Sequence, residues 1–235
     1  MYLNASAVLF DLDGTLIDTA PDFHAVINML LEEEGKPGVS YPFIRQHVSN
    51  GARAMIAAAF NQQEGMADFD RLHQRMLDIY RGHLAVESKV FPGINECLTW
   101  LNDLGIPWGI VTNKPERYTI PLMRGLNLLE HSASIICPDH VVNRKPHPEP
   151  LFMACNQMNR DASHCIYVGD HIRDIEAGNR AGMTTIGATY GYLHEGEDPQ
   201  EWQANHYIGC ATELKPLLQS MYTEQGLLTG NRKHV

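Results

Sequence analysis

The sequence predicts an α/β protein: a doubly wound parallel sheet with an α-helical block inserted just after its first strand. Two observations predict the sheet. Short apolar runs recur at residues 7–10, 108–112, 134–137, 165–168 and 184–188, with a weaker one near Tyr207. Helix-patterned segments separate the later runs, and that alternation implies right-handed crossovers onto one parallel sheet covered on both faces. A third observation predicts the insert. Between about Pro21 and Val86 the alternation stops, and three helical patterns follow one another with no convincing strand among them.

Each element has its own signal. Ala7-Val-Leu-Phe10 is apolar throughout, as a strand buried on both faces must be. The insert reads as helices over 22–34, 41–60 and 69–85, with turns at 35–38 and 61–65. The chain returns to the sheet at Phe91-Pro-Gly93. Helix 95–104 follows that Pro-Gly, and helix 116–125 follows Pro115. Helix 148–158 opens with Pro-Glu-Pro, and helix 172–181 stops before Gly182. These signals divide the chain into a core of residues 1–20 and 88–235 and a helical insert of 21–87. Residues 226–235 have few apolar anchors and are expected to fray.

Composition narrows the function. With 235 residues, 44% hydrophobic and 20% charged, the chain has the make-up of a soluble globular protein with a sizeable core. A formal net charge of −10 argues against nucleic acid and anionic membranes as partners, since both reward basic surfaces. A locally positive pocket still suits a small phosphorylated metabolite. No apolar run reaches the roughly 18 residues of a spanning helix, and Met1-Tyr-Leu-Asn4 lacks a signal peptide's basic region, so the cytoplasm is the expected compartment. The five cysteines are scattered with no C-x-x-C pair; Cys137 and Cys165 lie in strand-like runs and read as small buried hydrophobes. The twelve histidines are spread out, and His140 and His147 lack the helical spacing of a zinc site.

Ligands of such sheets bind outside the carboxyl ends of the strands, and there the polar residues gather. Asp11 and Asp13 leave the first strand two residues apart, immediately before Gly14, in Phe10-Asp-Leu-Asp-Gly-Thr-Leu-Ile-Asp-Thr19. Crowded carboxylates repel, and a bound cation or a shared proton relieves them. That suits phosphoryl chemistry, with one aspartate attacking, a second handling a proton and Mg²⁺ offsetting the charge. Asp-Gly alone is a common turn dipeptide; the longer pattern, placed after an apolar strand, exceeds what a turn needs. Thr112 and Asn113 end the next strand, where they hold a phosphoryl oxygen or cap the following helix. Lys145 follows the third strand among prolines that stiffen its surroundings. Asp170 and Asp174 stand four apart at a helix start, sharing a face or complementing the helix dipole.

Together these four elements make the chain resemble the haloacid dehalogenase (HAD) superfamily of phosphatases, with a Rossmann-like core and the first-type helical cap, over nearly its whole length. The resemblance implies that Asp11 is the nucleophile that forms an aspartyl-phosphate and that Asp13 is the general acid and base. It implies that Thr112 and Lys145 bind the phosphoryl group with Asn113 beside them. Asp170, the Asp11 carboxylate and the Asp13 main-chain carbonyl are then the Mg²⁺ ligands, and Asp174 supports the metal shell or orients Lys145. The superfamily's true dehalogenases lack an acid/base aspartate at the Asp13 position, so phosphate esters are the expected substrates. An ordinary aspartate pKa of about 3.9 leaves Asp11 ionised at neutral pH.

Specificity is expected in the insert. In Ser49-Asn-Gly-Ala-Arg-Ala-Met55, Arg53 is the candidate for a substrate carboxylate, since its planar fork suits bidentate contact. Within the superfamily the chain is similar to bacterial phosphoglycolate-phosphatase-like proteins, and among these to the N-acetylmuramic acid 6-phosphate phosphatases of cell-wall recycling. That narrower likeness rests on 49–55, Val111-Thr-Asn-Lys-Pro115, Ile136-Cys-Pro-Asp-His140 and Tyr190-Gly-Tyr-Leu-His194. The expected reaction is Mg²⁺-dependent hydrolysis of N-acetylmuramic acid 6-phosphate. The alternatives are 2-phosphoglycolate hydrolysis, a sugar phosphomutase and a non-catalytic protein that binds phosphorylated ligands.

Overall fold

In the computed structural model, which describes residues 6–224, the chain begins with strand β1 (Ala7–Phe10) and a short strand β2 (Ile17–Asp18). Four helices follow: α1 (Ala20–Glu33), α2 (Tyr41–Arg45), α3 (Gly51–Phe60) and α4 (Phe69–Gly82). The chain then returns through β3 (Lys89–Val90) to α5 (Ile94–Asp103), β4 (Trp108–Val111), α6 (Glu116–Gly125) and β5 (Ser134–Ile136). It continues with α7 (Glu149–Met158), β6 (Cys165–Gly169), α8 (Ile172–Arg180), β7 (Thr184–Ala188), β8 (His206–Ile208) and α9 (Leu214–Glu224).

Six strands form a parallel sheet in the order β5-β4-β1-β6-β7-β8. Strand β1 is central, with Phe10 level with Ile110 of β4 on one side and Val168 of β6 on the other. The winding reverses between β1 and β6, which opens a crevice at their carboxyl ends. All four residues of β1 are buried because helices cover both faces. Val8, Phe10, Ile110 and Val168 pack with Leu98, Leu101, Leu214 and Leu218 on one face. Leu9, Val111 and Tyr167 pack with Leu151, Ala154 and Ala177 on the other.

The insert has an apolar core of its own. Phe69, Leu72, Met76, Leu77 and Tyr80 line one stripe of α4 and meet Phe23, Val26, Ile27 and Leu30 of α1. Tyr118 and Tyr192 from the sheet side join that cluster, so the insert is seated on the strand ends.

Two expectations are corrected, and one feature was not foreseen. The helix over 41–60 is two helices joined by a 3₁₀ turn (Val48–Asn50), because Gly51 has φ of 82° and ψ of −179°, which a continuing α-helix does not allow. The helix from Phe69 ends at Gly82, short of Ala85, which takes the left-handed φ of 59°. The two chain crossings also pair as a short antiparallel ladder, Ile17 with Val90 and Asp18 with Lys89, which two-residue strands do not announce in sequence. The expected fraying of 226–235 lies outside the described residues. Cys97, Cys137, Cys155 and Cys165 are buried, as expected of small hydrophobes, and Cys210 is exposed. No helix among the described residues is long and apolar enough to cross a membrane.

Asp22, fully buried in α1, ties the two crossings together: it accepts the Glu87 N–H at 2.6 Å and the Ser88 hydroxyl. Asp22→Ala orphans both donors and is expected to destabilise the fold by about 2 kcal/mol, read as a lowered urea midpoint with an unchanged slope.

Candidate active site

Asp11 leaves β1 with its N–H donating to the Val168 carbonyl (2.9 Å), which fixes it at the crevice. Leu12 turns into the core, so Asp11 and Asp13 emerge on the same side. Gly14 then adopts φ of 81°, and a Cβ there would stand 2.1 Å from Asp170 Oδ2. A Cβ on Gly191 would stand 2.2 Å from Asp170 Cβ. These two glycines make the space in which Asp170 reaches Asp11.

The structure brings Asp11, Asp170 and Asp174 together, one oxygen from each lying within 4.8 Å of the others. Helix α8 starts at Ile172, so Asp170 precedes it rather than sharing its face with Asp174. Asp174 sits in the first turn, where its Oδ2 accepts the His171 N–H at 3.1 Å. Asp170 accepts from Thr15 Oγ1 (3.1 Å), the Tyr192 N–H (3.0 Å) and, across from the insert, Ser49 Oγ (3.3 Å).

Lys145 is the cation in this acidic group. Its Nζ lies 2.7 Å from Asp174 Oδ1 and 2.9 Å from Asp11 Oδ1, and it donates to the Val111 carbonyl and Tyr167 Oη at 2.8 Å each. Burial opposes its charge, but the two carboxylates outweigh that and raise its pKa. An ammonium has three protons for these four acceptors. Asp11 Oδ1, buried and paired in charge with Lys145, has no well-directed hydrogen bond among the described residues. Burial lifts the Asp11 carboxyl to about 6, with Lys145 opposing and Asp174 and Asp13 adding. Burial, Asp11 and Asp174 push Asp170 up to about 8. An orphaned carboxylate oxygen facing two more carboxylates is a donor set that fits a hard divalent cation.

Of the other expected residues, Thr112 accepts the Lys114 N–H on its hydroxyl oxygen (3.1 Å), which leaves its own proton free to donate. The Asn113 side-chain amide donates to the Lys145 carbonyl (3.0 Å), fastening the lysine's segment to the end of β4. Sequence reasoning gave no role to Lys114, although Val111-Thr-Asn-Lys-Pro115 was in view. Its Nζ lies 2.9 Å from Asp13 Oδ1 and 2.7 Å from Tyr80 Oη of the insert. Tyr192 was also missed: its hydroxyl accepts the Thr19 and Ala20 N–H groups at the start of α1 and donates to Asp18 (2.8 Å).

A cavity of about 710 Å³ lies between strand ends and insert, with Asp11, Asp13, Thr112 and Lys145 among its core lining and Arg53, His73 and Tyr80 among its insert lining. Arg53 is paired with Glu64 and, at 3.2 Å, with Asp70, and its guanidinium lies over the Phe69 ring. Arg117 and Arg144 line the same cavity and form no ion pair among the described residues.

The family of haloacid dehalogenase-like hydrolases matches residues 8–188. The chain belongs to that family. Among its relatives, the N-acetylmuramic acid 6-phosphate phosphatase of Pseudomonas putida is 45% identical over 91% of this chain and 96% of its own length. The phosphoglycolate phosphatase of Xanthomonas campestris pv. campestris is 41% identical over 88% of this chain and 94% of its own. The crystal structure of a predicted phosphoglycolate phosphatase from Haemophilus somnus 129pt has the same fold, with a TM-score of 0.81 at 24% identity over 92% of this chain and 99% of that one. The family's α/β core with a helical insert is the fold expected from sequence.

The raised carboxyls have a consequence for stability. Asp11 and Asp170 hold protons in the folded state to about pH 6 and about pH 8, whereas unfolded aspartates lose them near pH 4. Between those limits the folded state binds more protons than the unfolded, so stability falls as pH rises. Chelator-treated protein is expected to show a falling thermal midpoint from about pH 5 to about pH 8, and Asp170→Asn to flatten that slope.

Proposed function

We propose that this hydrolase is a Mg²⁺-dependent phosphatase of small phosphomonoesters that works through an aspartyl-phosphate on Asp11. The observation that carries this reading is the Asp11 carboxylate at the cavity floor, held against Lys145 beside Asp170 and Asp174. Asp11 attacks phosphorus, the ester P–O bond breaks, and Asp13 protonates the departing alkoxide. Water then attacks the aspartyl-phosphate while Asp13 takes its proton, and phosphate and free Asp11 result. Lys145 and the Thr112 hydroxyl hold the phosphoryl oxygens, with Asn113 keeping the lysine's segment in place. Asp11, Asp170 and the Asp13 main-chain carbonyl hold Mg²⁺, and Asp174 orients Lys145. The cation, when bound, offsets the charge of the carboxylates and phosphoryl oxygens.

Residues 1–20 and 88–235 are the catalytic core in this reading, and 21–87 the cap. The preferred substrate is N-acetylmuramic acid 6-phosphate, a small metabolite met in the cytoplasm. Support comes from the Pseudomonas relative and from a cavity of about 710 Å³, within the roughly 300–1,000 Å³ that takes a drug-sized ligand and roomy for two-carbon phosphoglycolate. Arg53 reads the substrate carboxylate. Its partners Glu64 and Asp70 are exposed, and such surface pairs are worth about 0–1 kcal/mol, so a substrate carboxylate displaces them.

Asp11→Asn is expected to abolish turnover with the fold intact by circular dichroism; substantial residual Mg²⁺-dependent activity refutes the nucleophile. A phosphate-ester panel decides the substrate: kcat/KM should be highest for N-acetylmuramic acid 6-phosphate, and a preference for 2-phosphoglycolate beyond about tenfold (~1.4 kcal/mol) overturns that choice. Stoichiometric phosphate release without an isomerised sugar phosphate separates hydrolysis from phosphomutase action, and any turnover of an aryl phosphate dismisses a mere ligand sensor. Arg53→Ala should raise KM about tenfold for carboxylated esters and leave it unchanged for glucose 6-phosphate.

A further inference from the structure

We infer that Lys114 is a positioning residue for Asp13, and that the helical insert sets its place through the hydroxyl of Tyr80. The inference rests on the acid/base role proposed for Asp13. Asp13 Oδ1 accepts from Thr19 Oγ1 at 2.6 Å and from Lys114 Nζ at 2.9 Å. Both donors converge on one oxygen, while Oδ2 has no hydrogen-bond partner among the described residues. The carboxylate is therefore anchored by one oxygen and presents the other to the cavity.

Lys114 is 8% exposed, far from the solvated state usual for a lysine. Its main chain belongs to the core, where Thr112 Oγ1 accepts its N–H and Thr119 Oγ1 donates to its carbonyl, each at 3.1 Å. Opposite Asp13, its ammonium is surrounded by groups of the insert. Tyr80 Oη of α4 accepts from Nζ at 2.7 Å, and the rings of Phe23 (α1) and Tyr80 each lie 4.9 Å from it. A lysine has no acceptor, so the tyrosine oxygen takes one of its protons and Asp13 another. Removing the Tyr80 hydroxyl releases the ammonium on the insert side, and the carboxylate loses a fixed anchor.

In the first half-reaction the Asp11–phosphorus bond forms and the ester bond breaks. Its electron pair stays on the ester oxygen, which takes the proton that Asp13 Oδ2 delivers. An alkoxide needs that proton; a nitrophenolate leaves without it. A residue that acts by placing Asp13 must therefore matter more for alkyl than for nitrophenyl esters.

The test compares kcat/KM, which covers the steps up to aspartyl-phosphate formation, for glucose 6-phosphate and 4-nitrophenyl phosphate with Mg²⁺. Lys114→Met is expected to lose about 30-fold more on the alkyl ester than on the nitrophenyl ester, and Tyr80→Phe about fivefold more. Lys114→Arg should recover part of the alkyl-ester rate. Equal losses on both esters overturn the inference, because a purely structural role does not discriminate leaving groups. Should Lys114→Met fail to fold, Tyr80→Phe, which keeps the ring, decides alone. Wild-type protein that releases phosphate neither from these esters nor from N-acetylmuramic acid 6-phosphate refutes the phosphatase reading and this inference with it.

Discussion

Three clustered carboxylates, two of them paired with one ammonium, are the constraint to which the rest of the molecule answers. Asp11, Asp170 and Asp174 are clustered at the carboxyl edge of the sheet, where water that would screen them is largely excluded, and Lys145 pairs with Asp11 and Asp174. Left to itself the group is over-negative, which is why Asp11 and Asp170 sit well above the ordinary carboxylate range. Such a cluster persists only because the packing around it is stronger than its repulsion. Four parallel strands end beneath it, Tyr167 and the Val111 carbonyl grip the ammonium, and Gly14 and Gly191 clear room for Asp170. Strain of this kind, maintained by a rigid scaffold, is a hallmark of sites built for charged ligands.

Two of the insert's contacts with this edge reach the proposed chemistry. Ser49 of the 3₁₀ turn donates to Asp170, and Tyr80 of α4 accepts from Lys114 beside Asp13. One contact reaches the proposed metal carboxylate and the other the proposed proton carrier. The insert is thus part of the site's inner wall as well as its roof, and its seating is felt by both halves of the chemistry.

Much of this was legible in the sequence, for identifiable reasons. Strands β1, β4 and β6 declare themselves because burial on both faces demands apolar residues, and Asp11, Thr112 and Asp170 follow these runs. What escaped depends on distance along the chain or on a single backbone angle. Lys114 meets Asp13 across 101 residues and Tyr80 across 34, so no local pattern marks it as anything but a surface lysine. The break before α3 hangs on the φ of Gly51, and a glycine within an otherwise helical pattern does not announce a break. Arg53 was found from its place in the insert, but its pairing with Glu64 and Asp70 is a matter of tertiary arrangement.

The short ladder joining Ile17 to Val90 and Asp18 to Lys89 carries a consequence for how such an enzyme changes. The insert leaves and re-enters the sheet at one point, where the two crossings are paired with each other and tied again through Asp22. Its ends stay side by side whatever lies between them, and lengthening a closed loop adds only about 0.6 kcal/mol per doubling. The strand ends therefore do not register the size of the segment they carry. A segment joined in this way can change in length without moving a single strand, and what then changes at the site is the pair of contacts made by Ser49 and Tyr80.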